Sequence, residues 1–223
     1  MITLSPYDLI RMARAAGLST AAARERFTLR RGSLLRFNND SVCPALAGVR
    51  CTLHSGRPFA CRLYPLGMQR NVDKTASFFR LDPAPGSAGV YSPDGTIANF
   101  LETQEVGPYL EALTAYHALL PLMRARLDKL VDFDRIEPRE FWRVARREAL
   151  AETNFDPNPL IDALYDPDGL GCALDPFSQT VDTHVTALKT LFENACDGAA
   201  LAAASVMLQV GLGYAPAPIR IDI

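Results

Sequence analysis

Three cysteines in a stretch rich in proline and glycine are the residues of this sequence best suited to metal chemistry. They are Cys43, Cys51 and Cys61, with seven residues between the first two and nine between the last two. Thiolates bind zinc ions and iron–sulfur clusters well, so three of them in one segment indicate a metal site. The wide spacing does not match the paired cysteines of a zinc ribbon, and three small buried residues of an irregular core are the alternative.

Two more residues are candidates for completing such a site. His54 lies three residues after Cys51 and would complete a Cys₃His zinc site, the alternative being a loop histidine that binds nothing. Cys172 is a candidate from the second half of the chain, whereas Cys196 follows an apolar helical segment and is expected to pack in the core. With three ligands alone, the site would keep an open position for water or a substrate.

The segment that carries the cysteines, residues 33–80, lacks helical periodicity and contains many turn residues. A segment with so little regular secondary structure needs another interaction to fix its conformation. Metal coordination can do this, because the free energy of binding stabilises the fold when the site exists only in the folded state. Arg50, Arg57 and Arg62 neighbour the cysteines and are expected to stabilise the negative charge of thiolates.

Outside this segment the sequence predicts helices, and the expected fold is mainly α. Ser5 as N-cap, Pro6 in the first turn and Asp8 near the helix start favour a first helix, which Gly17 ends. A second helix is predicted to run to about Leu29. The other predicted elements are short strands at Leu34–Asn38 and Ser77–Leu81, and helices at Ile97–Val106, Pro108–Val131 with a kink or a split at Pro121, Pro138–Glu152, Leu160–Tyr165, Val181–Ala195 and Ala199–Leu212. We therefore expect an irregular, turn-rich cysteine segment with short strands, followed by a helical C-terminal half.

Length and composition limit the classes of protein that need to be considered. The chain has 223 residues, 48% of them hydrophobic, which is enough to bury a core. It has neither a long apolar run nor a secretory signal pattern at its start, so we expect a cytoplasmic protein without a membrane partner. Its five cysteines are an odd number, which favours thiols over a disulfide scaffold. We predict a cysteine-cluster metal-binding region at 1–96 and a helical region at 97–223.

The charge is distributed unevenly along the chain. Residues 1–80 hold 13 Arg and Lys against 4 Asp and Glu, whereas residues 81–223 hold 10 against 21. One interpretation is that the two halves dock on each other or that the charges of both are solvated. The alternative is a basic face that binds nucleic acid or another anion. The arginines are scattered with little aromatic interleaving, so we do not expect nucleic-acid binding.

Four pieces of the first half carry a family resemblance: LSPYDLIRMAR at residues 4–14, CPAL at 43–46, Cys51, and RPFACRLYP at 57–65. They resemble the YkgJ-type cysteine-cluster family, which is described as a zinc- or iron-chelating domain. The resemblance covers about residues 3–107 and implies zinc or an iron–sulfur cluster as the partner of Cys43, Cys51 and Cys61. We accordingly predict a metal-binding protein of unknown biochemical activity, with a site that is incomplete as given.

The sequence departs from the family in two places. The family has a compact cysteine cluster just before the segment that matches residues 4–14, where this chain begins. Either the natural start lies upstream or those ligands have been lost. In addition, Ala84 stands where the family often has a cysteine before Pro-Gly.

Two other functions stay open at this point. Some members of the family that this chain resembles are similar to iron–sulfur protein lysine methyltransferases that act on flagellin. However, the second half of this chain has no recognisable cofactor motif. A metal-free helical interaction protein with a vestigial cysteine segment is the remaining alternative.

Overall fold

The computed structural model describes residues 2–70, 75–82, 94–151, 157–172 and 177–214, and within these ranges the fold is mainly α, as predicted. Its helices are α1 Pro6–Ala16, α2 Thr20–Phe27, α3 Phe59–Leu63, α4 Ile97–Thr103, α5 Gly107–His117, α6 Leu119–Leu130, α7 Pro138–Ala149, α8 Pro159–Leu164, α9 Phe177–Glu193 and α10 Gly198–Gly211. Its strands are β1 Thr28–Leu29, β2 Leu34–Leu35, β3 Leu46–Ala47, β4 Arg50–Cys51, β5 Leu66–Arg70 and β6 Ala76–Arg80.

The first two helices form the predicted hairpin. The Ser5 side chain accepts a hydrogen bond from the Asp8 backbone N–H, and the Asp8 carboxylate accepts one from the Ser5 backbone N–H, so α1 begins with a capping box. Gly17 ends the helix in a left-handed conformation with φ of 64°. Helix α2 stops at Phe27, earlier than predicted, because the next two residues form β1 and pair with β2.

The cysteine segment contains three two-stranded antiparallel sheets, β1–β2, β3–β4 and β5–β6. The predicted strand at Leu34–Asn38 is shorter than expected, and the one at Ser77–Leu81 is shifted by one residue. Neither β5 nor the short helix α3 was predicted. In β5, Gly67 lies against the ring of Phe79, so close that a β-carbon at Gly67 would be 2.5 Å from the ring.

Pro121 breaks the long helix predicted at Pro108–Val131, and the helices α5 and α6 meet at Ala118. Proline has no N–H to bond the carbonyl of His117, four residues earlier, and its ring crowds that carbonyl. The proline therefore lies in the first turn of a new helix instead of the interior of an old one.

The hydrophobic core is one cluster that draws on both predicted regions. Leu9 and Phe27 come from the first region, and Leu113, Met123 and Leu208 come from the second. Helix α10 packs on α6, α7 and α8, while α9 packs on α5 and α6. The boundary at residues 96 and 97 stays a prediction, but the apolar interior is continuous across it.

Ion pairs and hydrogen bonds join the basic first region to the acidic second region. Thr20 donates from its backbone N–H to Asp168 at 2.8 Å and from its hydroxyl to Asp166 at 2.7 Å. Arg24 lies 3.0 Å from Asp162. These contacts place opposite charges of the two regions against each other.

Candidate metal centre

Of the three predicted cysteine ligands, Cys51 lies on the β3–β4 hairpin and Cys43 lies just before it. Cys51 is in β4 and pairs with Leu46 of β3, and the Leu46 backbone N–H donates to the Cys43 carbonyl at 3.0 Å. Both thiols are half-buried and pack against the edge of the hydrophobic core. The turn of this hairpin places Val49 in solvent, so the hairpin presents its cysteines toward the protein and its tip away from it.

The third cysteine, Cys61, lies on α3, and Asp8 fixes where that helix begins. The Asp8 Oδ1 atom accepts a hydrogen bond from the Phe59 backbone N–H at 2.6 Å, while its Oδ2 atom accepts from the Ser5 backbone and hydroxyl, each at 2.7 Å. One carboxylate therefore caps two helices that are far apart in sequence. Asp8 and Cys61 also line the same cavity, of about 480 Å³.

The three thiols lie close enough to influence each other electrostatically. The pKa of Cys61 is raised to about 12, chiefly by burial and in smaller part by the negative charges of Asp8, Cys43 and Cys51, while the positive charge of Arg57 opposes them. Burial likewise raises the pKa of Cys43, with Cys51 adding to the effect. Cys61 is therefore a protonated thiol at neutral pH, and not an activated nucleophile.

His54, the predicted fourth ligand, lies in a short 3-10 turn at His54–Gly56 and its side chain is exposed. Within the described ranges, no three His, Cys, Asp or Glu side chains are arranged closely enough to hold a metal ion. The fold thus collects the three cysteines in one neighbourhood without presenting a formed coordination shell. The position of Ala84 lies outside the described residues.

The two remaining cysteines lie elsewhere. Cys172 is buried and its Sγ donates weakly to the Leu170 carbonyl at 3.5 Å. The prediction that Cys196 packs in the core is wrong, because the residue is exposed in the turn between α9 and α10. All five cysteines are free thiols.

Arg62 has a different role from the one expected. Arg62 is buried, and its guanidinium donates to Tyr109 Oη at 3.1 Å, to the Gln104 carbonyl at 2.9 Å and to the Ser55 carbonyl at 2.6 Å. It therefore joins the cysteine segment to α5 and the turn before it. Arg50 is exposed on β4.

Arg57 is the arginine whose charge acts on Cys61. Its Nη2 donates to Gln104 Oε1, and Tyr109 donates to its carbonyl at 2.9 Å. Its Nε is buried and has no hydrogen-bond partner among the described residues. A buried N–H of this kind is costly unless an acceptor is supplied.

Sequence reasoning missed the buried carboxylate. It assigned Asp8 to the N-terminus of α1, and its second role, as the acceptor for α3, depends on a contact across 51 residues. A signal was present in the sequence, because the segment at residues 4–14 and the RPFACRLYP segment at 57–65 both belong to the resemblance. Those two segments are the ones that Asp8 joins.

No protein-family model matches this chain, and neither a curated protein nor a solved structure matches it. The resemblance described above therefore rests on the quoted residues alone. In the described part of the chain, no helix is both long enough and apolar enough to cross a membrane.

Proposed function

We propose that this protein binds zinc or an iron–sulfur cluster through Cys43, Cys51 and Cys61. The observation that carries the proposal is the proximity of the three cysteines, which come from the β3–β4 hairpin, the residues just before it and α3, so that the charges of Cys43 and Cys51 both act to raise the pKa of Cys61. Thiolates are the ligands that both zinc and iron–sulfur clusters prefer. The free state of all five cysteines supports the cytoplasmic location that we also propose.

Two further features support the proposal. The buried Nε of Arg57 lacks an acceptor, and a thiolate formed when metal displaces the proton of Cys61 would supply one. Metal binding also requires the sulfur atoms to move to within bonding distance of one ion. Since β3 and β4 have only two residues each, few backbone hydrogen bonds resist such a movement of Cys43 and Cys51.

The structure constrains the fourth ligand of the proposed metal site less than the three cysteines. His54 follows the hairpin directly and is exposed, so it is available as a ligand once the hairpin moves. Water or a group from outside the described residues would serve equally, and a water ligand would leave an exchangeable position.

Metal analysis of protein purified without oxygen tests the proposal. We expect zinc or iron at near-stoichiometric amounts in the natural chain, and loss of that metal when Cys43, Cys51 and Cys61 are all replaced by Ser. The matched control replaces Cys172 and Cys196 by Ser, which removes thiols but leaves the proposed ligands. It is expected to keep the metal.

Cobalt(II) added to the metal-free protein gives a second readout, because thiolate coordination of cobalt produces an intense charge-transfer band. Folded natural protein that contains neither zinc nor iron and gives no such band would refute the proposal. Equal metal content in the triple variant and the control would refute the choice of ligands.

A further inference from the structure

A second cavity, of about 600 Å³, lies between α6, α7 and α10, away from the cysteine segment. Its volume is within the range of about 300–1,000 Å³ that is typical of small-molecule sites. Its walls are mainly apolar, with Leu127 on α6, Trp142 on α7, and Val206 and Val210 on α10. Aliphatic side chains on two helices and one aromatic ring on the third make a surface suited to an alkyl chain.

The charged side chains that line this cavity are cationic. They are Arg124, Arg139 and Arg146, and among the described residues that line the cavity none is acidic. The side chains of Arg139 and Arg146 make no hydrogen bond or ion pair with any described residue, whereas Arg124 is 3.0 Å from Asp128. Arg139, Trp142 and Arg146 follow one another at intervals of three and four residues, so they share one face of α7.

The arginines of this cavity would be paired by an anionic ligand. Arg146 is half-buried, and a guanidinium partly removed from water gains most from a carboxylate, whose two oxygens match its paired N–H groups. We propose that this cavity binds a small amphiphilic anion of the medium-chain carboxylate class. The alkyl chain lies along the apolar walls and the carboxylate pairs with Arg139 and Arg146. The proposal does not depend on metal binding.

Trp142 is the only tryptophan of the chain, so its fluorescence reports on this cavity directly. The experiment titrates the full-length protein with decanoate, below the concentration at which it forms micelles, and follows Trp142 emission. We expect a saturable change, and binding of 1-decanol that is weaker by about tenfold or more, since the alcohol cannot form the charged pair. Calorimetry repeats the titration. Absence of saturable binding by both methods, or equal binding of decanoate and decanol, would overturn the proposal.

Two double variants of α7 separate a specific site from general charge attraction. Arg139→Gln with Arg146→Gln removes the two arginines of the cavity that have no partner among the described residues. Arg143→Gln with Arg147→Gln removes the same charge from the same helix outside the cavity lining. We expect the first pair to weaken decanoate binding about tenfold or more and the control pair to change it less than about twofold.

Equal effects of the two pairs would overturn the proposal, because they would show attraction to the charge of α7 alone. Far-UV circular dichroism establishes that each variant is folded. If the first pair does not fold, Arg146→Gln alone is compared with Arg147→Gln, and equal affinities of these two would have the same meaning.

Discussion

His184 is a fully buried histidine whose two ring nitrogens both have partners. Its Nε2 lies 2.9 Å from the Ala163 carbonyl, and its Nδ1 lies 2.7 Å from Tyr116 Oη. Since a carbonyl only accepts, Nε2 carries the proton and Nδ1 accepts from the tyrosine hydroxyl. Burial lowers the pKa of His184 to about 4, so the ring is neutral at physiological pH. The residue fastens α9 to α5 and α8.

Acid is therefore expected to destabilise the fold through His184. The unfolded chain takes up this proton near pH 6.5 and the folded chain only near pH 4, so stability present above about pH 6.5 is lost as the pH falls toward 4. The full effect is about 3 kcal/mol. Urea unfolding of the natural chain and of His184→Gln at several pH values measures it. We expect the advantage of the natural chain to shrink as the pH falls, and a constant advantage would contradict the assignment.

Gly56 lies at a position where the packing against α1 leaves no room for a β-carbon. A β-carbon there would lie 2.1 Å from the Arg11 carbonyl oxygen and 2.6 Å from the Ala15 β-carbon. We expect Gly56→Ala to lower the free energy of unfolding by about 2–3 kcal/mol, because the turn before α3 can no longer contact α1. Gly107→Ala is the control, since a β-carbon there meets nothing within 4 Å. Chemical denaturation of both is the measurement, and similar midpoints would show that the turn can move away from α1 without loss.

At the scale of elements, Asp8 couples two helices through one carboxylate. Asp8→Ala removes the acceptor for the N-termini of both α1 and α3, whereas Asp197→Ala removes the exposed cap of α10 alone. We expect the first change to cost at least about 1 kcal/mol more than the second, since each lost cap costs about 1 kcal/mol. Thermal unfolding of the two variants compares them. An equal loss would mean that α3 does not depend on this contact.

The helix boundaries show how far local sequence carries a prediction. The start of α1 and its end at Gly17 follow from residues within one turn of each boundary, and so does the break at Pro121. Helix α3 was missed because it begins on Asp8, an acceptor 51 residues away, and rules based on neighbouring residues do not include such a contact. Strand β5 was missed although its partner, β6, is the next strand along the chain.

The candidate site divides in the same way. Residue type and spacing identified the three cysteines, but the distances between their sulfur atoms depend on how the β3–β4 hairpin packs on α3, which spacing does not determine. The placement of Cys196 failed because apolar neighbours were assumed to bury it, while the adjacent helix had already ended at Glu193. The arginines of the cavity at α7 were visible only as scattered charge.

At the scale of the whole molecule, Arg62 is the main polar connection between the cysteine segment and α5. Arg62→Met removes the donor to the Gln104 carbonyl, one of the two donors to the Ser55 carbonyl (Arg11 is the other) and the ion pair with Glu105, and we expect a loss of about 3 kcal/mol. Arg50→Met, at an exposed position, is the control and should change stability by less than about 0.5 kcal/mol.

Hydrogen exchange shows whether this loss is shared between the regions. Because the core is continuous, we expect α1 and α10 to lose protection together in Arg62→Met. Loss in α1 with full protection retained in α10 would instead establish two independently stable domains.

The position of α10 in the chain has a consequence for biosynthesis. Its side chains from Leu201 to Ala204 are fully buried, and each helix packed on it, α6, α7 and α8, is translated before it. The apolar surfaces of those helices therefore have no permanent cover while the ribosome is still adding residues 198–211. The helices α6, α7 and α8 cannot complete their packing until α10 has left the exit tunnel of the ribosome. Until then the nascent chain exposes an apolar surface that chaperones recognise.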